Sequence, residues 1–273
     1  MNKGALIGKG MTAEVYEWGQ NKVLKLYHER FSGEWIQYEA NIGTAIHDAG
    51  VPSPAVYEIV EVDGRKGIVF QRIYGKSMLK HIQAEPWNIC NYASQLARLQ
   101  FSIHQCTAGC LPTQTEKYSA RIHGSSALLG DKEQKILNYI DGLPDGTSVC
   151  HGDFHFNNII VSGNKLVPVD WTNAYQGNPL GDVARTFLMM NSPGKTSGIG
   201  NMNMLLSQYR KWLTYWTYLS EYMKLANVSY KEIDAWILPT AAAKLRDRIN
   251  GEESWLLGMI NKRLSADLRQ DAD

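Results

Sequence analysis

The chain has 273 residues, 44 % hydrophobic and 20 % charged, a balance that builds a folded core and excludes a disordered polymer. Its 28 Lys+Arg stand against 27 Asp+Glu, a net +1, which leaves no electrostatic footprint for nucleic acid or an anionic membrane. No apolar run reaches the roughly 18–20 residues of a membrane span, Met1–Val15 lacks the apolar core of a signal peptide, and four cysteines (Cys90, Cys106, Cys110, Cys150) are too few for a disulfide framework.

The length suits two domains or one large two-lobed unit. The cysteines read as reduced thiols in a cytoplasmic protein. Cys106 and Cys110 have the spacing of one helix face, with no further pair of metal ligands nearby. In chain order, Ala5-Leu6-Ile7 leads into a glycine turn, and Glu14–Trp18 and Lys22–Tyr27 alternate as strands. Trp35, Tyr38, Ile42, Ala45 and Ala49 recur at helical spacing until Gly50 and Pro52 stop the helix. Val56–Val62 and Lys66–Arg72 flank the turn Asp63-Gly64 and predict a hairpin. The order is three strands, one helix, two strands.

Beyond Gly75 the pattern becomes helical. Ile89, Tyr92, Leu96, Leu99, Ile103 and Cys106 mark one long amphipathic helix, and Asp131–Ile140 a second. A β-rich island runs from Val149 to Asp170, and helices return at Gly181, rich in Tyr and Trp. The composition shift predicts an α+β chain of two lobes. Residues 1–75 form a small antiparallel β lobe with one helix and a hinge, and residues 76–273 a larger, mostly helical lobe.

Three groups of residues carry chemistry. Gly8-Lys9-Gly10-Met11-Thr12-Ala13-Glu14-Val15 is a glycine turn between strands, where amides can approach phosphate oxygens unhindered by a Cβ. A strand follows it, so it is neither a Walker loop nor a dinucleotide fingerprint. Lys25 interrupts the apolar strand Val23–Leu26, and Glu39 follows on the predicted helix; an ion pair between them would aim the ammonium at nucleotide phosphates. The densest cluster is His151-Gly152-Asp153-Phe154-His155-Phe156-Asn157-Asn158, then Asp170 after a short hairpin. Phosphoryl transfer needs one carboxylate to orient a hydroxyl and oxygen ligands to hold Mg²⁺. Asp153 suits the first task; Asn158 and Asp170, brought side by side by the hairpin, suit the second.

His151-Gly152-Asp153, Asn158 and Asp170, with the glycine turn, Lys25, Glu39 and Gly177–Asp182 in matching order, resemble the aminoglycoside phosphotransferase family over roughly Gly4 to Arg185. That resemblance implies a two-lobed protein-kinase-like fold, ATP or GTP as phosphate donor, Mg²⁺, and a small-molecule hydroxyl acceptor of aminoglycoside, amino alcohol or sugar type. It implies that Gly8 and Gly10 cover the phosphates and Val15 packs on the purine. The adenine edge would meet backbone near Gln71, Arg72 and Ile73. His155 falls where a cation lies near the γ-phosphate, and Asp182 where an aspartate braces the catalytic loop. Ala13 replaces a third glycine, Phe156-Asn157 the usual Pro-Gly, and Trp171 follows Asp170. No activation loop fits between Asp170 and Asp182, which disfavours a protein substrate. The family's acceptor site borders the C-terminal helices, here carrying Glu221, Asp234, Asp247, Glu252 and Glu253 among aromatics (Tyr209, Trp212, Tyr215, Trp216, Tyr218, Tyr222, Trp236, Trp255) that read equally as core. Two other classes stay open: a metal-dependent hydrolase using His151, Asp153, His155 and Asp170, and a nucleotide-binding scaffold without turnover. His104 reads as a packed helix histidine.

Overall fold

The computed structural model describes residues 3–193 and 201–270. The first strands and helix follow the expected order: β1 (Leu6–Lys9), β2 (Ala13–Glu17), β3 (Lys22–Tyr27), α1 (Gly33–Asp48), β4 (Val56–Val62) and β5 (Arg65–Gln71). The strands pair antiparallel in the order β1-β2-β3-β5-β4. Asp63 and Gly64 adopt φ of 52° and 72°, the left-handed pair that a two-residue hairpin turn requires. Alternation divides β3. Leu24 and Leu26 pack with Trp18 and Val69 on one face, while Tyr27 meets Ile36 and Ala40 of α1 on the other. Lys25 shares the face turned to α1. Ser32 starts that helix by accepting from the Trp35 amide.

The second lobe begins with β6 (Lys76–Ser77) and α2 (Met78–Ala84), then α3 (Ile89–His104), α4 (Gln114–His123), α5 (Ser126–Leu129) and α6 (Lys132–Asp141). The β-rich island follows as β7 (Ser148–Cys150), β8 (Ile159–Ser162), β9 (Lys165–Pro168) and β10 (Tyr175–Gly177). Helices α7 (Pro179–Asn191), α8 (Asn201–Ala226), α9 (Tyr230–Ala235), α10 (Ile237–Lys244) and α11 (Glu253–Gln270) complete it. The island forms two small sheets, β6-β8-β9 and β10-β7. Two apolar clusters hold this lobe, one around α3 and α8, the other around α4, α7 and α10. Among the described residues no helix is long and apolar enough to cross a membrane.

Some expectations fail locally. Helix α3 stops at His104, so Cys106 and Cys110 do not share a helix face. Pro179, held by the Asn178 cap, starts α7 two residues before Gly181. Strands β6 and β10 were not expected; at two and three residues they are too short for an alternating pattern.

Candidate active site

The sheet register places Gly8 opposite Val15, Val15 opposite Lys25, and Lys25 opposite Ile68. A stripe thus runs from the glycine turn across the sheet. Gly10 N–H donates to Ala13 O at 2.9 Å and closes the turn. Ala13, where a third glycine was absent, is buried against α1. Lys25 Nζ lies 2.6 Å from Glu39 Oε1 and 3.1 Å from Asp170 Oδ1. Burial alone would lower the Lys25 pKa, but Asp170 and Glu39 together raise it, so the ammonium is fixed. Burial likewise works to raise the Asp170 pKa, and Lys25 overcomes it and holds the carboxyl low.

Asp170 takes φ 67°, a left-handed conformation that an aspartate tolerates better than most residues. It lies two residues beyond the end of β9 at Pro168. The Val169 amide donates to Asn158 O at 2.8 Å, so the β8–β9 hairpin fixes Asn158 and Asp170 across its open end. Asn158 Nδ2 donates to Asp153 O at 3.0 Å and reaches Asp153 Oδ2 at 3.3 Å. Among the described residues nothing donates to or otherwise occupies Asn158 Oδ1. An amide oxygen and a carboxylate are the hard donors that Mg²⁺ accepts.

His151 is fully buried, and burial lowers its pKa. Its Nδ1 accepts from the Asp153 amide at 3.2 Å, so the proton sits on Nε2, which donates to Val169 O at 3.2 Å. The neutral ring, 4.3 Å from the Trp171 ring, ties the His151–Asn158 loop to the segment after β9 that bears Asp170. Both nitrogens are spent. Among the described residues no three His, Cys, Asp or Glu side chains converge as a metal site, so the hydrolase reading loses its ligand set. His155 Nδ1 accepts from the Asn157 amide at 3.2 Å, leaving Nε2 to face Asp153 Oδ2 at 3.5 Å.

Asp182, on the first turn of α7, braces the loop from beneath. Its carboxylate accepts from the His151 amide at 3.0 Å and the Gly152 amide at 2.8 Å. Gln100 Nε2 and His104 Nε2 complete its shell at 2.9 and 3.2 Å. His104 is packed, as expected, and it also supports the brace. Gly152 adopts φ 74°, and a Cβ there would lie 2.3 Å from Asn173 O.

Arg185 was not singled out from sequence, although it lies one turn after Asp182 on the same face of α7. Its Nε donates to Gly152 O, and its Nη2 lies 3.9 Å from Asp153 Oδ1 and 2.9 Å from Asp247 Oδ2. Burial raises the Asp153 pKa, but His155 and Arg185 outweigh it and hold the carboxylate ionised.

At the hinge, the Gln71 and Arg72 amides donate to Ala55 O and Asn21 O at 2.8 and 3.0 Å. Neither amide is therefore free for a ligand.

The acids expected to serve a cationic acceptor are largely neutralised. Glu221 pairs with Arg98, Asp234 with Arg263, Asp247 with Arg121 and Arg185, and Glu252 with Lys244. Glu253 is exposed at the start of α11. Tyr218, Tyr222 and Trp236 are buried in the core, Tyr215, Trp216 and Trp255 pack against it, and Tyr209 and Trp212 stack at the surface.

A family model described as "Phosphotransferase enzyme family" matches residues 3–197. The fold is shared with an aminoglycoside-3'-phosphotransferase of type VIII (15 % identity, covering 89 % of this chain and 93 % of that one, TM-score 0.57). It is shared with a ternary complex of streptomycin, ATP and APH(2")-IIa (14 %, 94 % and 91 %, TM-score 0.55). A putative fructosamine-3-kinase from Haemophilus somnus 129PT is similar over 96 % of this chain and 89 % of its own, at 12 % identity and TM-score 0.58. No curated protein matches the chain.

Proposed function

The chain belongs to the phosphotransferase enzyme family, and we propose that it transfers the γ-phosphoryl group of ATP to a hydroxyl of a small molecule, with Asp153 as the base. The observation that carries this reading is Lys25 Nζ held between Glu39 at 2.6 Å and Asp170 at 3.1 Å, joining residues from both lobes across one cleft. A scaffold without turnover needs no such alignment with Asp153 and Asn158.

In this reading Gly8 and Gly10 lie over the phosphates, Val15 against the purine, and the Ile73 amide donates to its edge in place of the Gln71 and Arg72 amides. Lys25 orients the phosphates, and Glu39 keeps it from swinging away. Asp170 and Asn158 would hold Mg²⁺, which supplies positive charge to the transferring group. The acceptor oxygen forms its bond to phosphorus as the bond to the ADP oxygen breaks, and Asp153 takes the hydroxyl proton. A carboxylate held this far below neutrality serves chiefly to orient the hydroxyl. Arg185 positions Asp153, and His155 stands at its rim toward the γ-phosphate. The compartment is the cytoplasm, where ATP and Mg²⁺ are supplied.

A coupled ADP-release assay tests this, with ATP and GTP in parallel, over aminoglycosides, amino alcohols, sugars, nucleosides and hydroxy acids. Asp153→Asn is expected to lower kcat by about 10²–10⁴ while nucleotide affinity stays within about twofold. Wild-type turnover in that variant removes Asp153 from the chemistry.

A further inference from the structure

A small cavity opens in the cleft wall beside the catalytic loop, and its charge points away from the acceptors the family name suggests. Lys117 and Arg121 of α4 line it, with Gly152, Asn173 and Arg185 opposite. Gly152 immediately precedes Asp153, so the cavity adjoins the base. Arg121 and Arg185 divide one carboxylate between them, one guanidinium on each oxygen of Asp247. Lys244, 3.8 Å from Asp247, is already paired with Glu252.

Lys117 has no carboxylate partner among the described residues. Its Nζ makes one long contact, 3.4 Å to Thr172 O, and lies 5.1 Å from the centre of the Tyr38 ring. Burial, with Arg121 adding to it, pushes the Lys117 pKa down to about 8. A half-buried ammonium left unpaired costs folding energy that an incoming anion recovers. The Tyr175 hydroxyl, buried on the same wall, also has no hydrogen-bond partner. Arg121 and Arg185 are already held on Asp247, so the Lys117 ammonium, beside the unsatisfied Tyr175 hydroxyl, is the cation in this recess left to take an anion.

We infer that the acceptor carries a carboxylate or phosphate group besides its hydroxyl, and that this group binds Lys117 while the hydroxyl meets Asp153. The inference rests on the phosphotransfer reading above and narrows its substrate class. Aminoglycosides, which are polycations, would leave Lys117 unpaired.

The test compares acidic acceptors (glycerate, glucose 6-phosphate) with uncharged or cationic ones (glucose, choline, kanamycin) by ADP release, in wild type, Lys117→Gln and Lys117→Arg. Turnover is expected for the acidic arm, the better acid separating carboxylate from phosphate. Lys117→Gln raises the KM for that acceptor about tenfold, the size of one charge-assisted hydrogen bond, with the KM for ATP unmoved. Lys117→Arg restores most of it. Faster turnover of kanamycin, choline or glucose overturns the inference, as does an unchanged acceptor KM in Lys117→Gln. A second readout is the melting temperature of the wild-type protein with Mg²⁺ and a non-hydrolysable ATP analogue. Glycerate or glucose 6-phosphate raises it, and Lys117→Gln abolishes the rise; no rise with either compound also overturns the inference. Failure of the nucleotide analogue itself to bind is a different result, and it strikes the phosphotransfer reading instead.

Discussion

Asp182 sits in a fully buried position and accepts four hydrogen bonds, two from the His151 and Gly152 amides and two from α3 side chains. Burial works to raise its pKa, while His104, His151 and Gln100 hold it low. Removing one partner of such a network leaves several buried donors unmatched, at about 3–5 kcal/mol. Asp182→Ala is therefore expected to lose that much unfolding free energy in urea and to reduce kcat more than the KM for ATP. A loss under about 1 kcal/mol shows the brace to be slack. At this scale sequence carried a good deal. Lys25 stood out because a charge broke an apolar strand, and Asn158 and Asp170 because a short hairpin must bring its two ends together. Lys117 and Arg185 gave no such signal. Each is an ordinary cation on an amphipathic helix until folding decides which carboxylate it reaches. Asp247 meets Arg121 and Arg185 from 126 and 62 residues away, a separation that no local pattern encodes.

Among elements, the long ones were legible and the short ones were not. β3 spans the residues that its alternation predicted, because one buried face fixes period and register together. β4 spans its predicted residues too, although at the sheet edge it buries none fully and its register shifts between Val56 and Glu58. β6 is two residues long and exists because Gly75 lets the chain cross β8 closely. Gly75 has φ 154°, and a Cβ there would lie 2.0 Å from Val161 O. Backbone must move to accept any side chain. Gly75→Ala is expected to cost roughly 1–3 kcal/mol and lower the melting temperature by several degrees. Gly109→Ala, where a Cβ meets nothing within 4 Å, is the control and should change little. Equal melting temperatures for the two variants would contradict this account of the crossing.

For the whole molecule, buried titratable groups set a pH dependence with a definite sign. His151 is held neutral, its folded pKa below the unfolded value of about 6.5. The unfolded chain takes up a proton that the folded chain refuses, so this contribution is complete above that pH and lost as pH falls through it. Asp153, Asp170 and Asp182 are held below the usual carboxylate value of about 3.9. Their contribution is present above it and lost as pH falls further. Lys117, lowered to about 8, favours the folded chain as pH rises above that value, while the Cys150 thiol and the Tyr118, Tyr175 and Tyr218 hydroxyls, kept protonated by burial, act in the opposite direction. Urea unfolding is thus expected to show stability falling in two stages, below about pH 6.5 and again below about pH 4. Stability that is flat or increasing from pH 7 down to 5 contradicts the neutral buried His151.

The central claim is that Lys25 and Asp170 form one cradle for the phosphates and cation of a nucleotide. Calorimetric titration of ATP tests it most directly, with and without Mg²⁺, on wild type and Asp170→Ala. The prediction is tight binding to wild type only when Mg²⁺ is present, and a weak, Mg²⁺-indifferent isotherm for the variant. Identical, Mg²⁺-dependent isotherms for the two proteins would contradict it.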